Sequence, residues 1–534
     1  MATSMVNKHV RDEKFSTAGP KKSKFSHIKE KAIMFLSSKE NSNVLVELLE
    51  YTQNEEKGAV LASIKALHQI FSTLLKNESM VTKESQSARE SPPKTVHVEH
   101  KYKEWLRGMY RDSVKCLAEL ISDGGSSPTV QELSLCTLMK FMETENHHPI
   151  VARKQHEYIF QQTVISNLVP HLVTHRKDQG ELLGRFEEYL EFDDLRFFLL
   201  TKLAAHLPNV KNQSLTQGEM ANVCQNTLTL LEMVTMPTKD EDIQKFVGVS
   251  PDVEANLRIL SLQEHRRVFG NAWLTFLKLK LPSKVYKRVL VLLHEKVMPH
   301  MSSPVLLTDF LTSSYNVGGA VSLLALNGLF FLITKYNLEY PEFYTKLYNL
   351  FEPSIFHVKY KARFFHLADL FLTSTHLPSY LVAAFAKRLS RLSLVAPPNA
   401  LEYVIPFIIN LFVRHPNCSI LVHRTEGALD FTSDPYNHEE KDPAKSNALE
   451  SCLWELETLQ SHYHHGVATR AKQIHQPLPK LEEDLSDLLD LDVADLITKE
   501  AQKKVSSVPL EFQPAKRLFG GHEEKFSSEF WSWG

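Results

Sequence analysis

The sequence contains little glycine, few cysteines and no clear excess of either charge. Only 18 of its 534 residues are glycine, against 30 phenylalanines, which argues against turn-rich all-β folds and excludes collagen-like chains. The five cysteines lie far apart and form no Cys-x-x-Cys pair, which indicates a reducing compartment rather than a disulfide scaffold. The 61 basic and 63 acidic residues nearly balance, so the total charge identifies no partner. The first 20 residues are polar and lack the apolar stretch of a secretory signal, so we expect no such signal.

Motifs of catalysis and cofactor binding are absent as well. The sequence contains no phosphate-binding loop of the Gly-x-x-x-x-Gly-Lys-(Ser/Thr) type, no Gly-x-Gly-x-x-Gly after a strand, no nucleophile elbow and no His-Glu-x-x-His. His171 and His175 have helical spacing but no companion carboxylate or cysteine pair, and His462, His464 and His465 lack a Cys-x-x-Cys partner. We therefore expect a non-enzymatic protein that needs no cofactor and no metal.

Apolar residues recur with helical spacing along most of the chain. One such series runs through Ile64, Leu67, Phe71 and Leu74. Helix starts are predicted by Ser127 before Pro128 and by three pairs with capping-box spacing. These pairs are Thr216 with Glu219, Ser261 with Glu264, and Asn399 with Glu402. The pattern predicts an all-α fold, namely an α-solenoid of HEAT or armadillo type.

Composition divides the chain into five segments. We predict a basic, disordered N-terminus at 1–26 and N-terminal helical repeats at 27–235, with a disordered insert at about 79–98. A linker at 236–252 follows, then a second helical domain at 253–475 with its core at 300–465, and an acidic and aromatic tail at 476–534.

Charge is distributed unevenly along these segments. Residues 257–391 contain 17 basic and seven acidic residues, whereas residues 424–534 contain 21 acidic and 12 basic residues. The basic stretch predicts a surface for a polyanion, although solvated helix faces give the same pattern. Residues 481–496 have seven acids among regularly spaced leucines, which predicts an amphipathic segment that is helical only when docked. The candidate RNA-contacting residues are Lys284, Lys287, Arg288, Lys387, Arg388 and Arg391.

Residues 310–334 carry no formal charge and form a weak candidate for a membrane span. Polar residues such as Ser322 and Asn327 interrupt the stretch, and its fully apolar part is short. A buried central helix of the solenoid is the favoured interpretation, and a nuclear-membrane protein is the alternative.

An ordered set of short motifs runs from about residue 300 to residue 465. The set contains Leu-Ala-Leu-Asn-Gly-Leu-Phe at 324–330, Tyr-Pro-Glu-Phe-Tyr at 340–344, Arg-Phe-Phe at 363–365, Ala-Phe-Ala-Lys-Arg-Leu at 384–389, Asp-Pro-Tyr at 434–436 and Ser-Cys-Leu-Trp-Glu-Leu at 451–456. It resembles the CCAAT-binding-factor-type domain of the nucleolar complex proteins, and within them the nucleolar complex protein 4 family. Residues Ser451-Cys452 stand where the family usually has paired serines.

The resemblance implies a non-enzymatic assembly factor in the nucleus and nucleolus. Such a protein would act in small ribosomal subunit biogenesis and rRNA processing, as part of the small-subunit processome and with nucleolar protein 14 as its partner. A different hypothesis, drawn from the basic residues, is a module that binds pre-ribosomal RNA directly.

The protein partner is expected to bind near the C-terminal helices and the aromatic tail. The Leu-Trp-Glu-Leu run predicts that Trp454 packs in the core, whereas the terminal aromatic residues would be exposed unless they dock. The Asp-Pro pairs predict rigid turns that orient this region. The candidate partner-binding residues are Asp434, Pro435, Asp442, Pro443, Phe530, Trp531 and Trp533.

Overall fold

The protein is helical throughout the part that the structure describes. This structure is a computed structural model, and it describes residues 25–38, 41–81, 94–150, 158, 160–248, 257–424, 433–477 and 479–502. Within these ranges every regular element is a helix, and no strand occurs. The predicted all-α class is therefore confirmed.

The chain divides into two compact units, unit 1 (residues 1–341) and unit 2 (residues 342–534). In unit 1, each helix packs on helices one or two positions away along the chain, as in an α-solenoid. The predicted solenoid is therefore confirmed. The α-helices of unit 1 are α1 (Ser26–Ser37), α2 (Asn43–Glu50), α3 (Lys57–Lys76), α4 (Lys94–Ser122), α5 (Pro128–His147), α6 (Thr163–Leu172), α7 (Gly180–Phe186), α8 (Asp193–Lys211), α9 (Gln217–Met233), α10 (Leu262–Leu277), α11 (Ser283–Leu292), α12 (Thr308–Tyr315) and α13 (Gly319–Tyr336).

Unit 2 is built around two adjacent helices, α16 and α17, on which most of its later elements pack. Short 3₁₀-helices at 416–421, 443–445 and 448–450 lie along α16. The α-helices of unit 2 are α14 (Phe343–Asn349), α15 (Lys361–Phe371), α16 (Ser379–Ser393), α17 (Pro398–Arg414), α18 (Trp454–Leu459), α19 (His465–Lys472), α20 (Ser486–Leu489) and α21 (Val493–Gln502).

An aromatic cluster fixes the inner face of α16. The ring of Phe385 contacts Tyr348 and Phe351, with both centroid distances at 5.5 Å, and Phe351 contacts Phe364 at 4.9 Å. All four side chains are buried, and their edge-to-face geometry is the favoured arrangement for aromatic pairs. Arg388, one turn after Phe385, lies on the same side of α16 and donates to the Phe351 carbonyl, whereas Lys387 faces α18 on the other side of the helix.

One of the three predicted capping boxes forms. The Thr216 hydroxyl accepts a hydrogen bond from the Glu219 amide at 3.3 Å, and the Glu219 carboxylate accepts one from the Thr216 amide at 2.8 Å. Ser261 makes no side-chain cap, since the amide of Glu264 donates to the Ser261 carbonyl at 3.1 Å, and the Glu264 carboxylate pairs with Arg267 at 2.7 Å.

The third predicted capping box fails because a proline replaces it at the helix start. Pro397 precedes α17, and Pro398 occupies the first helical turn, so Asn399 already lies inside the helix. The side chains of Asn399 and Glu402 bind other elements of unit 2 instead.

The linker predicted at 236–252 is ordered over its described residues, 236–248. The carboxylate of Asp193 accepts hydrogen bonds from the amides of Gln244 and Lys245, at 3.0 and 2.9 Å, and that of Asp194 accepts one from Val247 at 2.9 Å. Both aspartates are buried at the start of α8. They therefore anchor this segment to the first turn of the helix.

Two helices of the described residues are long and apolar enough to cross a membrane, namely α3 and α13. In α13, which contains most of the 310–334 stretch, residues 321–329 are buried against neighbouring helices that include α11 and α12. The interrupting polar residues are satisfied there, since Ser322 donates to the Tyr315 carbonyl and Asn327 lies 3.2 Å from the ring of His294. This environment is that of a core helix in a folded unit.

The predicted N-terminal segment and insert fall mostly outside the described residues. Residues 1–24 and 82–93 are not described, while α4 begins at Lys94, so helical structure starts within the stretch predicted as an insert. The division at 236–252 remains a prediction of domain organisation.

Candidate interaction surfaces

A buried ion cluster joins α16 to α18 in unit 2. The ammonium of Lys387 lies 2.7 Å from the carboxylate of Glu455 and 2.9 Å from that of Asp434. The same ammonium donates to the Cys452 carbonyl at 2.6 Å, and Ser390 donates to Glu455 at 3.1 Å. The side chains of Lys387 and Glu455 are both 0% exposed. Charges as deeply buried as these are tolerated only when they are paired and hydrogen-bonded, as they are here.

Trp454 lies at the solvent edge of this cluster. Its indole N–H donates to Asp434 at 2.9 Å, and the guanidinium of Arg391 lies 5.0 Å from its ring centroid. The tryptophan is 38% exposed, so the prediction that it packs in the core is wrong. The neighbouring Leu453 and Leu456 supply the buried apolar groups of this run.

Asp434 holds the cluster together from a turn before α18. Burial alone would raise its pKa, but hydrogen bonds from Ser451, Trp454 and Lys387 outweigh that effect and lower the pKa to about 2. The carboxylate also accepts a hydrogen bond from the amide of Tyr436 at 3.1 Å, across Pro435. Asp434 is therefore a charged structural group that fixes both the turn and the indole ring of Trp454.

The second Asp-Pro pair begins a 3₁₀-helix. Asp442 accepts a hydrogen bond from the amide of Ala444 at 3.0 Å, and Pro443 is buried in the first turn. Both Asp-Pro pairs thus form fixed turns, as their sequence indicates. Lys441, just before the second pair, and Lys445, just after it, are exposed.

The basic residues of α16 have three different environments. Lys387 is enclosed in the ion cluster, so its burial removes it from the candidate RNA-contacting residues. Arg388 donates to the carbonyls of Phe351 and His438 at 2.8 and 3.3 Å, which commits its guanidinium to the fold. Arg391 is 39% exposed and makes one looser ion pair with Glu455 at 3.7 Å. Arg391 alone among these three presents an exposed cation.

The basic residues of α11 form an exposed face in unit 1. Lys284, Lys287 and Arg288 are exposed, whereas Val285 and Val289 on the opposite face are buried. Arg288 also pairs with Glu232 of α9. Lys278 and Lys280, just before α11, are exposed as well. This face, with Lys278 and Lys280, is called the α11 basic face below.

The remaining partner-binding candidates, Phe530, Trp531 and Trp533, lie outside the described residues. Sequence reasoning missed the partner of Lys387, since Glu455 is 68 residues away. A signal was present, because both charges stand within runs of apolar residues, at Ala-Phe-Ala-Lys and Leu-Trp-Glu-Leu. Within the described residues, no group of three or more His, Cys, Asp or Glu side chains is arranged to hold a metal ion.

The helices form a solenoid, its buried charges stabilise the fold, and its exposed side chains are available to bind other molecules. These features define a helical scaffold protein. Comparison with known proteins gives the family. Residues 20–214 match the model described as nucleolar complex protein 4-like TPR repeats, and residues 322–471 match the CBF/Mak21 family. The N-terminal repeats are thus of TPR type in that description, where HEAT or armadillo repeats were predicted from the sequence.

Similar proteins extend over nearly the whole chain. The nucleolar complex protein 4 homologs of Gallus gallus and Homo sapiens are 45% and 42% identical, over 93% of this chain and 97% and 95% of their own lengths. Nucleolar complex protein 4 of Saccharomyces cerevisiae is 32% identical over 86% of this chain and 87% of its own length. The chain belongs to the nucleolar complex protein 4 family, as the resemblance indicated. It is a nucleolar helical scaffold of ribosome biogenesis.

Proposed function

We propose that this protein is a non-enzymatic assembly factor for the small ribosomal subunit, acting in the small-subunit processome and in rRNA processing. It holds a nucleolar protein 14-type partner on the pre-ribosomal particle. Family membership and the solenoid architecture support this proposal, because solenoids present extended surfaces on which other proteins assemble. Affinity purification of the tagged chain from nuclear extract is expected to recover small-subunit precursors. Recovery of large-subunit precursors alone would contradict it.

The pairing of Trp454 with Arg391 is the observation that carries the proposed partner surface. Tryptophan and arginine are the residue types most enriched at the energetic centres of protein interfaces. Trp454 is half exposed, yet Asp434 fixes its indole edge and Arg391 stacks on its face, so little side-chain freedom remains to be lost on binding. We place the centre of the partner surface here. Asp434 of the first Asp-Pro pair adjoins it. The second pair, Asp442-Pro443, and the tail aromatics Phe530, Trp531 and Trp533 are proposed to extend it.

The test compares two exposed aromatic side chains, Trp454 at the start of α18 and Tyr380 of α16. Trp454→Ala is expected to reduce capture of the partner from nuclear extract by about tenfold or more, as truncation of a central interface tryptophan does. Tyr380→Ala is the matched control, because Tyr380 is 44% exposed near the start of α16, away from Lys387 and Arg391. Equal capture by both variants, with unchanged thermal unfolding, would exclude Trp454 as the centre of the surface.

A second candidate function is direct contact with pre-ribosomal RNA, and the α11 basic face favours it. Its lysines point to solvent without buried partners, unlike Lys387 and Arg388. Such residues contact phosphates in a sequence-independent and salt-dependent manner. Lys284→Glu with Lys287→Glu is expected to weaken binding of single-stranded RNA to the full chain and to lower the slope of log K against log salt by about 1.4. The charge-matched control, Lys65→Glu with Lys211→Glu, reverses two exposed lysines elsewhere in unit 1 and is expected to keep the slope. Equal slopes for the two double variants would contradict RNA contact by this face.

A further inference from the structure

The acidic segment 481–491 lies against its own unit rather than extending into solvent. Its short helix α20 packs on α15 and α17 of unit 2. The side chains of Leu485 and Leu489, one helical turn apart, are buried there, while Leu481 is exposed. The segment is therefore docked, as its amphipathic pattern requires for helix formation.

Two asparagines of α17 form hydrogen bonds with the backbone of this segment. Asn410 donates to the carbonyl of Glu483 at 2.8 Å and accepts a hydrogen bond from the amide of the same residue at 2.9 Å. Asn399 donates to the carbonyl of Leu491 at 3.3 Å. Both asparagines are 2% exposed. Two hydrogen bonds from a fixed amide side chain to the backbone N–H and C=O of one residue bind an extended chain whatever its side chains are.

Two arginines add selection for acidic residues. The guanidinium of Arg414 lies 2.6 Å from Glu482, and that of Arg470 lies 2.8 Å from Glu483. Each arginine is also held by a carboxylate of the helical framework, Asp369 at 2.8 Å and Glu402 at 2.7 Å respectively. These framework pairs do not involve the segment, so each arginine retains a carboxylate partner when the segment leaves. Charge-assisted hydrogen bonds of this kind give geometric selectivity for carboxylates.

The contacts that hold the segment are few. Glu482 and Glu483 are more than two-fifths exposed in their ion pairs, and exposed pairs contribute little to binding. The buried apolar contact consists of two leucine side chains. The receptor side chains, in contrast, lie on the helices α17 and α19. The groove is therefore a fixed part of the fold, whereas the segment is held in it by few contacts.

We propose that the groove between α15, α17 and α19 is a receptor for acidic peptides of the form Glu-Glu-x-Leu-x-x-x-Leu, and that residues 481–491 are its built-in occupant. A peptide of the same chemistry, supplied by another protein, replaces this segment and binds to Asn410, Arg414 and Arg470. The segment then acts as an internal competitor, which raises the concentration of incoming peptide that binding requires. This inference is independent of the partner surface at Trp454.

Fluorescence anisotropy with a labelled synthetic peptide of residues 479–492 tests the proposal on the full chain. The tethered segment competes at an effective concentration of the order of millimolar, so the unmodified chain is expected to bind the peptide weakly. The triple substitution Glu482→Lys, Glu483→Lys and Leu485→Ala in the chain releases the internal occupant, and the same peptide is expected to bind at least about tenfold more tightly. A peptide carrying those three substitutions is the matched control and is expected not to bind. Failure of the unmodified peptide to bind the released chain, with its thermal unfolding preserved, would overturn the proposal.

Hydrogen exchange on the unmodified chain gives a second readout that does not depend on a variant. The amide of Glu483 is protected by Asn410, so excess peptide is expected to accelerate its exchange while the interior of α17 keeps its protection. Unchanged exchange at Glu483 under saturating peptide would show that the segment is a permanent part of the fold, which also overturns the proposal.

Discussion

Replacement of Lys387 by methionine tests the most deeply buried charge that the structure places in unit 2. The substitution keeps an unbranched side chain of similar length but removes the ammonium. Glu455 then remains fully buried, with the hydroxyl of Ser390 at 3.1 Å and the guanidinium of Arg391 at 3.7 Å as its remaining partners. Asp434 also loses a cation at 2.9 Å.

The magnitude follows from the cost of leaving a buried charge without its partner. Removing one member of a buried ion pair destabilises a protein by about 3–5 kcal/mol. We expect Lys387→Met to lie in this range, because Glu455 has no exposed surface through which water could solvate it. Lys445→Met is the control, since Lys445 is 74% exposed and pairs with Asp442 at 3.7 Å. An exposed pair of that kind contributes about 0–1 kcal/mol.

Native-state hydrogen exchange on peptides from α16 and α18 measures the effect locally, without assuming that the whole chain unfolds in one step. A double-mutant cycle with Glu455→Gln then isolates the pair. The double variant is expected to be less destabilised than the sum of the single variants by roughly 1–3 kcal/mol. If Lys387→Met destabilises the protein no more than Lys445→Met does, the buried ion cluster is refuted. Lys387 would then again be a candidate RNA-contacting residue.

Three further outcomes are expected. Burial raises the pKa of Glu145 to about 7, even though Tyr110 donates to its carboxylate, so the folded state gains stability as the pH falls from 7 towards the ordinary pKa of 4.5. Glu145→Gln should therefore raise the melting temperature at pH 8 and lose this advantage near pH 5. A difference in melting temperature that does not change with pH would contradict this expectation. Thr216→Ala removes the cap of α9 and should cost about 1 kcal/mol in a denaturant titration, while Thr229→Ala, at a half-buried position inside the same helix, should cost less than half of that; equal costs would contradict the cap. Deleting residues 524–534 should abolish partner capture with an unchanged melting temperature; a lowered melting temperature would mean that the tail supports the fold, and no change in either property would contradict the tail prediction.

Local signals in the sequence predicted much of the fold. Helical periodicity gave the all-α solenoid, because the side-chain pattern of a helix is set by its own geometry. The Thr216–Glu219 box and the two Asp-Pro turns formed as expected, since their hydrogen bonds join residues at most three positions apart. Such features need no knowledge of tertiary contacts.

Features that depend on distant residues could not be predicted in this way. Lys387 looked like one exposed cation among many, and only its packing against Glu455 makes it structural. Trp454 followed an inward-facing pattern, yet a hydrogen bond to Asp434, 20 residues earlier, holds it at the surface. Asn399 had capping-box spacing, but Pro398 starts the helix and a segment 92 residues later accepts its hydrogen bond.

Crosslinking mass spectrometry on the particle purified through this chain tests the central claim most directly. Lys441 and Lys445 are exposed beside the Asp-Pro turns, so they report on any protein bound near Trp454. We predict that these two lysines crosslink to the nucleolar protein 14-type partner in small-subunit precursors. The opposite result would be that the partner crosslinks only to lysines of unit 1, while Lys441 and Lys445 react but crosslink only within this chain. That result would contradict a partner surface at Trp454.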